Sequence, residues 1–216
     1  MDRRLLVLIV AAVALIGVVN ATVFAYRWMT GTVQIAPAEA AEGAACTGFY
    51  SSAAQEGINL PSVGTNYDAE TYSGQYISVS TGRAVCQWIV NSSTYYLYES
   101  ITVNIPVTVG SWYIKDFYGF GYHGVDTYPE NVYVWFRLEQ PASGDGSISD
   151  AYLIINSTSG VIGRLDLLSS SGNTIGPFQL SRASAWSLDL RFNATSTGSV
   201  SFTVGVYVSY QSSESP

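Results

Sequence analysis

The chain has 216 residues, and 12% of them are charged, about half the share of roughly 25% in ordinary soluble proteins. Its net charge of −7 argues against nucleic acid as a partner, because phosphate binding needs clustered Lys and Arg. One histidine, His123, and two cysteines are too few for a multi-histidine or cysteine-rich metal site, so no cofactor is expected.

The N-terminus has the features of a secretory signal. Arg3 and Arg4 precede an uncharged apolar run, which is the order of the n-region and h-region. Small residues allow cleavage after Ala21 or after Ala25. We therefore assign residues 1–25 to a signal peptide and predict a secreted, extracellular protein that meets the membrane only through this leader.

Two other interpretations of the leader stay open. Residues 5–25 are long enough for an uncleaved membrane helix, although Asn20 and Thr22 lie in its outer third. The segment could also be the retained helix of a type IV pilin-like leader, although Arg4 abuts Leu5 without the small residue usual in that class. Either way, a hydrophobic helix precedes the folded domain.

Past the leader, apolar and polar residues alternate with a period of two, which predicts β-strands. The strongest pattern runs from Ile101 to Val109, where Pro106 favours a sheet edge or a bulge. The Gly- and aromatic-rich residues 112–122 are predicted to be a loop, as are residues 193–199. Further strands are predicted at residues 33–35, 76–79, 84–90, 133–138, 151–155, 165–168, 174–180, 186–192 and 202–210.

The spacing of these strands predicts the fold class. Many short strands separated by Ser/Thr/Gly turns, without a Pro/Gly linker, are typical of a β-sandwich or jelly roll. We therefore predict one all-β domain over residues 26–216, a jelly-roll-like β-sandwich preceded by the signal or hydrophobic helix.

Two kinds of covalent modification are expected in an exported chain. Cys46 and Cys86 are predicted to form one disulfide, the alternatives being two buried free thiols or bridges between subunits. Asn91, Asn156 and Asn193 begin N-x-S/T sequons at predicted strand ends or in loops. We predict glycosylation at these three positions.

No catalytic site is evident, and we predict that the protein is not an enzyme. The sequence contains no Gly-x-Ser-x-Gly, His-Glu-x-x-His or phosphate-binding glycine loop. His123 could act as a base with Asp116 or Asp126, but a packing role is the better interpretation. Asp145 and Asp150 lack EF-hand spacing, so a plain β-turn is favoured over a calcium site.

The phase of alternation changes in the segment after the leader. Phe24, Tyr26 and Trp28 share one parity, whereas Val33 and Ile35 share the other. One regular strand cannot bury both sets on one face. A bulge at the intervening glycine would explain the change. Alternatively, the aromatic part inserts into the unfinished sheet of a neighbouring subunit, while the later part belongs to the subunit's own sheet.

This layout resembles the TasA/camelysin-like fibre proteins and their archaeal relatives, the subunits of bundling pili and threads. The resemblance rests on the leader, on the aromatic stretch that runs into Gly31-Thr32-Val33-Gln34-Ile35, and on the Ser/Thr/Tyr-rich body. It implies a secreted jelly-roll subunit that polymerises by donor-strand complementation, with a donor segment at about residues 22–31. The implied interface residues are Phe24, Tyr26, Trp28 and Met29. The metallopeptidase label of some members is not carried over, since the chain has one histidine.

The leading functional hypothesis is therefore a pilin-like structural subunit of an extracellular filament. Its partners would be copies of itself, joined head to tail, and other cell-surface filaments. Adhesion, cell–cell bundling or a biofilm matrix would be its role, and the disulfide and low lysine content suggest a hot-environment archaeon. The alternatives are a secreted or membrane-anchored carbohydrate- or surface-binding β-sandwich that uses aromatic residues 112–128, and a hydrolase.

Overall fold

The computed structural model describes residues 25–30, 46–124 and 129–216, and of residues 25–30 it describes the backbone. The predicted leader helix, Phe24 and the predicted strand at residues 33–35 lie outside these residues. The regular structure of the described part is all strand, which confirms the predicted all-β class. That part contains no helix long and apolar enough to span a membrane.

The described residues form two large sheets and a small hairpin. The six-stranded sheet has the order β13-β10-β15-β1-β8-β5, and the seven-stranded sheet has the order β12-β11-β14-β9-β2-β7-β6. Strands β3 and β4 form the hairpin. The strands are β1 (Ala25–Thr30), β2 (Thr47–Tyr50), β3 (Glu70–Tyr72), β4 (Gln75–Tyr76), β5 (Ser78–Thr81), β6 (Ala84–Val90), β7 (Ser93–Tyr98), β8 (Ser100–Asn104), β9 (Gly110–Tyr122), β10 (Asn131–Gly144), β11 (Ser147–Ser157), β12 (Gly160–Asp166), β13 (Thr174–Ser181), β14 (Ser184–Ser196) and β15 (Val200–Ser209).

The main core lies between the two large sheets. Val134 and Val206 of the six-stranded sheet belong to the same buried cluster as Phe120, Leu153 and Leu188 of the seven-stranded sheet. Side chains alternate between the two faces of a strand, so each sheet supplies one apolar face to the interior. This packing confirms a β-sandwich-like fold.

A second, smaller apolar cluster involves β2, β6 and β7 of the seven-stranded sheet. Tyr50 of β2 and Leu97 of β7 are fully buried there. Val63, in the long connection between β2 and β3, is buried beside them. The Tyr50 hydroxyl donates to the Pro61 carbonyl at 2.5 Å. This connection therefore covers part of the sheet that would otherwise face solvent.

The predicted loop at residues 112–122 is instead most of β9, a central strand of the seven-stranded sheet, so that prediction was wrong. Phe117 and Phe120 are fully buried, and a Cβ on Gly119 would meet Val63 at 2.1 Å. Because this part of the strand is covered on both faces, it lacks the polar alternation of a half-exposed strand. Phe117 and Phe120 are therefore core residues, whereas Tyr113 at the start of the same strand is 56% exposed.

Two other boundaries differ from their predictions. The strand predicted from Ile101 to Val109 ends at Asn104, two residues before Pro106, which has no backbone N–H to donate to a ladder. The loop predicted at residues 193–199 is shorter, because β14 continues to Ser196. The strand predicted at residues 84–90 is confirmed with these bounds.

The disulfide between Cys46 and Cys86 is confirmed, with a Cα–Cα distance of 5.5 Å. It ties the start of β2 to the edge strand β6. The variant Cys46→Ser/Cys86→Ser should lose about 3–4 kcal/mol of unfolding free energy, because its unfolded chain is no longer closed into a loop. Guanidinium denaturation with and without reductant measures this loss. Reductant should leave the double variant unchanged, and equal stability of both proteins would contradict the prediction.

Candidate functional site: the slot that holds β1

β1, the part of the predicted donor segment that the structure describes, lies within the six-stranded sheet. Its six residues pair antiparallel with residues 203–208 of β15. Its last three residues also pair in parallel with residues 100–102 of β8. We call the space between these two stretches the β1 slot. In this single chain, the slot is filled by β1, the first strand of the described residues.

The β1 slot needs a strand for two physical reasons. Without one, the facing backbone edges of β15 and β8 would lose their ladder partners in the middle of a sheet, and unpaired backbone groups away from water are costly. The strands that flank the slot also carry apolar side chains on their core side. Ile101 of β8 and Val204 and Val206 of β15 are each at most 1% exposed. An empty slot would uncover both the backbone edges and these side chains.

The register of β1 assigns its residues to the two faces of the sheet. Directly paired residues of neighbouring strands share a face. Met29 is paired with the core residue Val204 and so takes a core-side position. Tyr26 is paired with Tyr207, and Trp28, two residues on, shares that outer side. The two aromatic positions therefore lie opposite the main core.

The outer side of the slot is nevertheless lined by aromatic residues. Trp135 of β10 is paired with Tyr207 of β15, which is paired with Tyr26 of β1, so the three form one cross-strand row. Trp135 and Tyr207 are only 1% and 5% exposed. The Tyr207 hydroxyl donates to the Glu139 carboxylate at 2.5 Å. Since cross-strand aromatic pairs stabilise sheets, the slot favours an aromatic donor on this side as well.

The direction of β1 follows from its neighbours. We name the ends of the sandwich the Cys46 end, where Thr47 pairs with Tyr122, and the Gly110 end, where β9 begins. The Tyr122 hydroxyl donates to the Pro129 carbonyl at 2.6 Å, so β10 starts at the Cys46 end. β15 is antiparallel to β10, and β1 is antiparallel to β15. β1 therefore runs toward the Gly110 end and away from Cys46.

A cavity lies beyond the last residue of β1. Beyond the position of Thr30, no residue of β1 lies between its neighbours. On one side are the first residues of β15, starting at Val200, and on the other the last residues of β8, ending at Asn104. These strand ends, together with residues that include Ile105 and Phe192, line a cavity of about 860 Å³. The slot thus extends into a partly apolar opening at the Gly110 end.

The three predicted glycosylation sites differ in their accessibility. Asn91 is exposed in the β6–β7 turn, with a φ of 48°. Asn156 is half-buried at the end of β11. Asn193 lies within β14 rather than in the predicted loop, and its side-chain amide contacts the Ser149 hydroxyl at 3.3 Å. The loop placement of Asn193 was therefore wrong, because the strand continues past it.

His123 packs against an aromatic ring rather than against Asp116. The centroid of its ring lies 4.1 Å from that of Trp88. Its backbone N–H donates to the Cys46 carbonyl at 2.9 Å. The Asp116 carboxylate accepts from the Gly64 backbone N–H at 2.7 Å. Asp126 lies outside the described residues. These contacts give both His123 and Asp116 structural roles.

Asp189 forms a buried polar network that no sequence motif indicated. Its carboxylate is 1% exposed and accepts from the Asp116 backbone N–H at 2.7 Å and from the Tyr113 hydroxyl. The hydrogen bond from the Tyr113 hydroxyl to Asp189 raises the pKa of Tyr113 to about 12. No local pattern marks Asp189, because its partners lie on β9, far away in the sequence.

Asp145, between β10 and β11, forms a hydrogen bond to the turn that precedes β15. Its carboxylate accepts from the Ser199 backbone N–H at 2.6 Å, and this hydrogen bond lowers the pKa of Asp145. Within the described ranges, no group of three His, Cys, Asp or Glu side chains is placed to hold a metal ion. The β1 slot is therefore the feature most suggestive of a function.

Comparison with known proteins does not assign the chain to a family. No protein-family model matches it, and no curated protein matches it.

The environment of His123 predicts a pH-dependent stability. Burial lowers the pKa of His123, so the unfolded chain takes up a proton at a higher pH than the folded chain. The contribution of neutral His123 to the free energy of unfolding should therefore be fully present above the ordinary histidine pKa of about 6.5. It should be lost progressively as the pH falls toward the lowered pKa of the folded state. Thermal melts between pH 7.5 and 5.5 test this. The variant His123→Phe keeps a ring against Trp88 and should show a smaller slope; equal slopes would contradict the prediction.

The β1 slot predicts that the strand can be supplied from outside. A chain lacking residues 22–30 should melt at a lower temperature, and a synthetic peptide of those residues should restore stability, by about 2.7 kcal/mol at a peptide concentration 100-fold above its Kd. Differential scanning fluorimetry measures both effects. The control peptide carries proline at the position of Trp28, which removes a ladder donor. Equal rescue by both peptides would show that the slot does not bind them as a strand.

Proposed function

We propose that the protein is the repeating subunit of a secreted, extracellular filament in which the N-terminal strand of one copy fills the β1 slot of the next. The observation that carries this proposal is the place of β1: it lies inside the six-stranded sheet, between β15 and β8, yet it comes from the extreme N-terminal part of the described chain. A terminal segment with this position can leave one body and enter an identical one.

The direction of β1 supports a head-to-tail arrangement. A donor strand that enters in the same register points toward the Gly110 end of the acceptor, whereas the donor's own body begins at its Cys46 end. The Gly110 end of one subunit would therefore face the Cys46 end of the next. In the donor, residues 31–45 join β1 to Cys46, and 15 extended residues span at most about 50 Å. Repeating this contact produces an open polymer.

We also propose that the sandwich is a jelly roll. Consecutive strands pass repeatedly from one sheet to the other: β5 to β6, β7 to β8, β9 to β10 and β12 to β13 each change sheets. This alternation is typical of jelly-roll architectures. The leader would direct export, and the mature N-terminus would then be free to act as donor.

A redox lock tests the strand exchange. Thr30 and Thr203 are directly paired across β1 and β15, at an antiparallel Cα distance of about 4.5–5.5 Å, which suits a disulfide. In the variant Thr30→Cys/Thr203→Cys, oxidation before assembly should tie β1 into its own body and prevent filaments. Oxidation after assembly should join neighbouring subunits into a ladder of covalent multimers on a non-reducing gel.

The single variant Thr203→Cys is the control and should form filaments without a ladder. Electron microscopy reports the filaments, and mass spectrometry of the mature chain establishes its N-terminus. Filaments whose oxidised chains run only as monomers would show that the strand stays in its own subunit. Monomers under all conditions would remove the filament proposal.

A further inference from the structure

The burial of the two strands that flank the β1 slot changes where β1 ends. Met29 is paired with Val204 of β15 and with Ile101 of β8, and both of these partners are at most 1% exposed. At the next core-side position of each strand, Phe202 and Val103 pack against the main core but are only partly buried. The core around the slot is therefore complete as far as Met29 and incomplete beyond it.

The cavity beyond β1 lies on this core side. Its walls include Ile105 and Val107, which follow β8, and Phe202 and Val200 of β15. Phe192, from the core of the seven-stranded sheet, lines it as well. The residues of each wall are two apart, which is the period with which a strand directs its side chains to one face. The walls are therefore spaced to contact alternate side chains of a further strand.

The sequence that follows β1 has the matching alternation. In a continuous strand, the alternate residues after Met29 share its core side. These residues are glycine, valine and isoleucine, whereas the residues between them are threonine and glutamine. Residues 31–35 thus offer apolar side chains to the cavity and polar side chains to the outer side of the sheet.

The register of β1 identifies the neighbours that this segment would meet. Continuing the antiparallel ladder from Thr30 places Gly31 opposite Phe202 and Val33 opposite Val200. Gly31 has no side chain, which leaves space for the Phe202 ring, and Val33 would contact the wall of the cavity. The chain also delivers the segment to this place, because residue 31 is bonded to Thr30 and its effective concentration at the cavity is high.

We propose that the cavity is the binding site for residues 31–35, so that β1 continues as one strand to Ile35, with Val33 and Ile35 completing the core. This arrangement explains the change of phase around Gly31 without a bulge. The aromatic residues before Gly31 take the outer side, next to the row that contains Trp135, and the aliphatic residues after it take the core side. A strand whose two faces both meet apolar neighbours can bury a different set of residues on each.

This inference deepens the proposed function. In the filament, residues 31–35 of one copy would fill the cavity of the next, so that each junction would cover the Gly110 end of the acceptor as well as its β1 slot. That consequence rests on the proposed function. Binding of the segment to the cavity does not, because a single chain can fill its own cavity.

Two aspartate variants of the full mature chain test which residues enter the cavity. Val33→Asp would place a charge among the apolar walls and should lower the melting temperature by roughly 5 °C or more. Thr32→Asp is the matched control, since it adds the same charge one residue away on the outer side, and should change the melting temperature by less than about 2 °C. A slip of one residue exchanges the two faces of a strand. Equal shifts, or a larger shift for Thr32→Asp, would therefore overturn the proposal.

Disulfide trapping tests the register without a buried charge. In the continued ladder Thr32 lies opposite Ser201, so Thr32→Cys/Ser201→Cys should oxidise as readily as Thr30→Cys/Thr203→Cys. These two pairs have the same geometry, because hydrogen-bonded and non-bonded pairs alternate along an antiparallel ladder. Thr32→Cys/Val200→Cys is the negative control, since its cysteines would project from opposite faces. Mass spectrometry of the alkylated chains counts the disulfides, and equal oxidation of these last two pairs of Thr32 would contradict the proposed register.

The same cysteine pairs, oxidised after assembly, separate a failure of this inference from a failure of the proposed function. Multimers joined through Cys at positions 32 and 201 would support both. The same disulfide formed only within single chains, without filaments under the electron microscope, would support the extended strand and refute the filament. Filaments that are cross-linked by the pair at positions 30 and 203, but not by the pair at 32 and 201, would refute the extended strand alone.

Discussion

The gap between β15 and β8 is the constraint on which the rest of this structure depends. Two strand edges face each other across it, above the buried side chains of Ile101, Val204 and Val206. A backbone edge inside a sheet requires a partner, and in this chain the partner is β1. Any strand that offers the same backbone and a compatible side-chain pattern satisfies the gap equally well, whichever molecule supplies it.

In the proposed filament, the balance between filling the slot in the same chain and filling it from a neighbour would be set outside the slot. The ladder contacts are the same in both states. Attachment to the same chain favours self-filling at low concentration, whereas high concentration and additional contacts between subunits favour exchange. On the proposed function, the end-to-end contact between the Gly110 end and the Cys46 end would supply that additional stabilisation.

The body around the slot is held together by interactions that do not involve β1. The Cys46–Cys86 disulfide joins β2 to β6, and the Asp189 carboxylate ties β14 to β9. Cys46 is also the first described residue after residues 31–45. In the proposed filament, tension on a donor strand would thus enter the body at a covalent cross-link, which suits a load-bearing subunit.

Local signals in the sequence were sufficient for the all-β class, for the disulfide and for strands such as β6, because alternation with a period of two and cysteine content are properties of short segments or of composition. They were insufficient for β9. Its residues 117–122 are buried on both faces, between the main core and the cluster that contains Val63, so this part of the strand lacks the alternation of a half-exposed strand.

The sequence by itself determined that the chain forms strands and that the aromatic segment before Gly31 differs in phase from residues 33–35, and it predicted the pairing of the two cysteines. Only the tertiary structure decided that residues 25–30 of this segment lie between β15 and β8, that Asp189 is buried in a hydrogen-bonded network, and that β6 is the last strand of its sheet among the described residues. The physical reason is distance along the chain: β1 and β15 come from opposite ends of it, and no local pattern encodes which strands will meet.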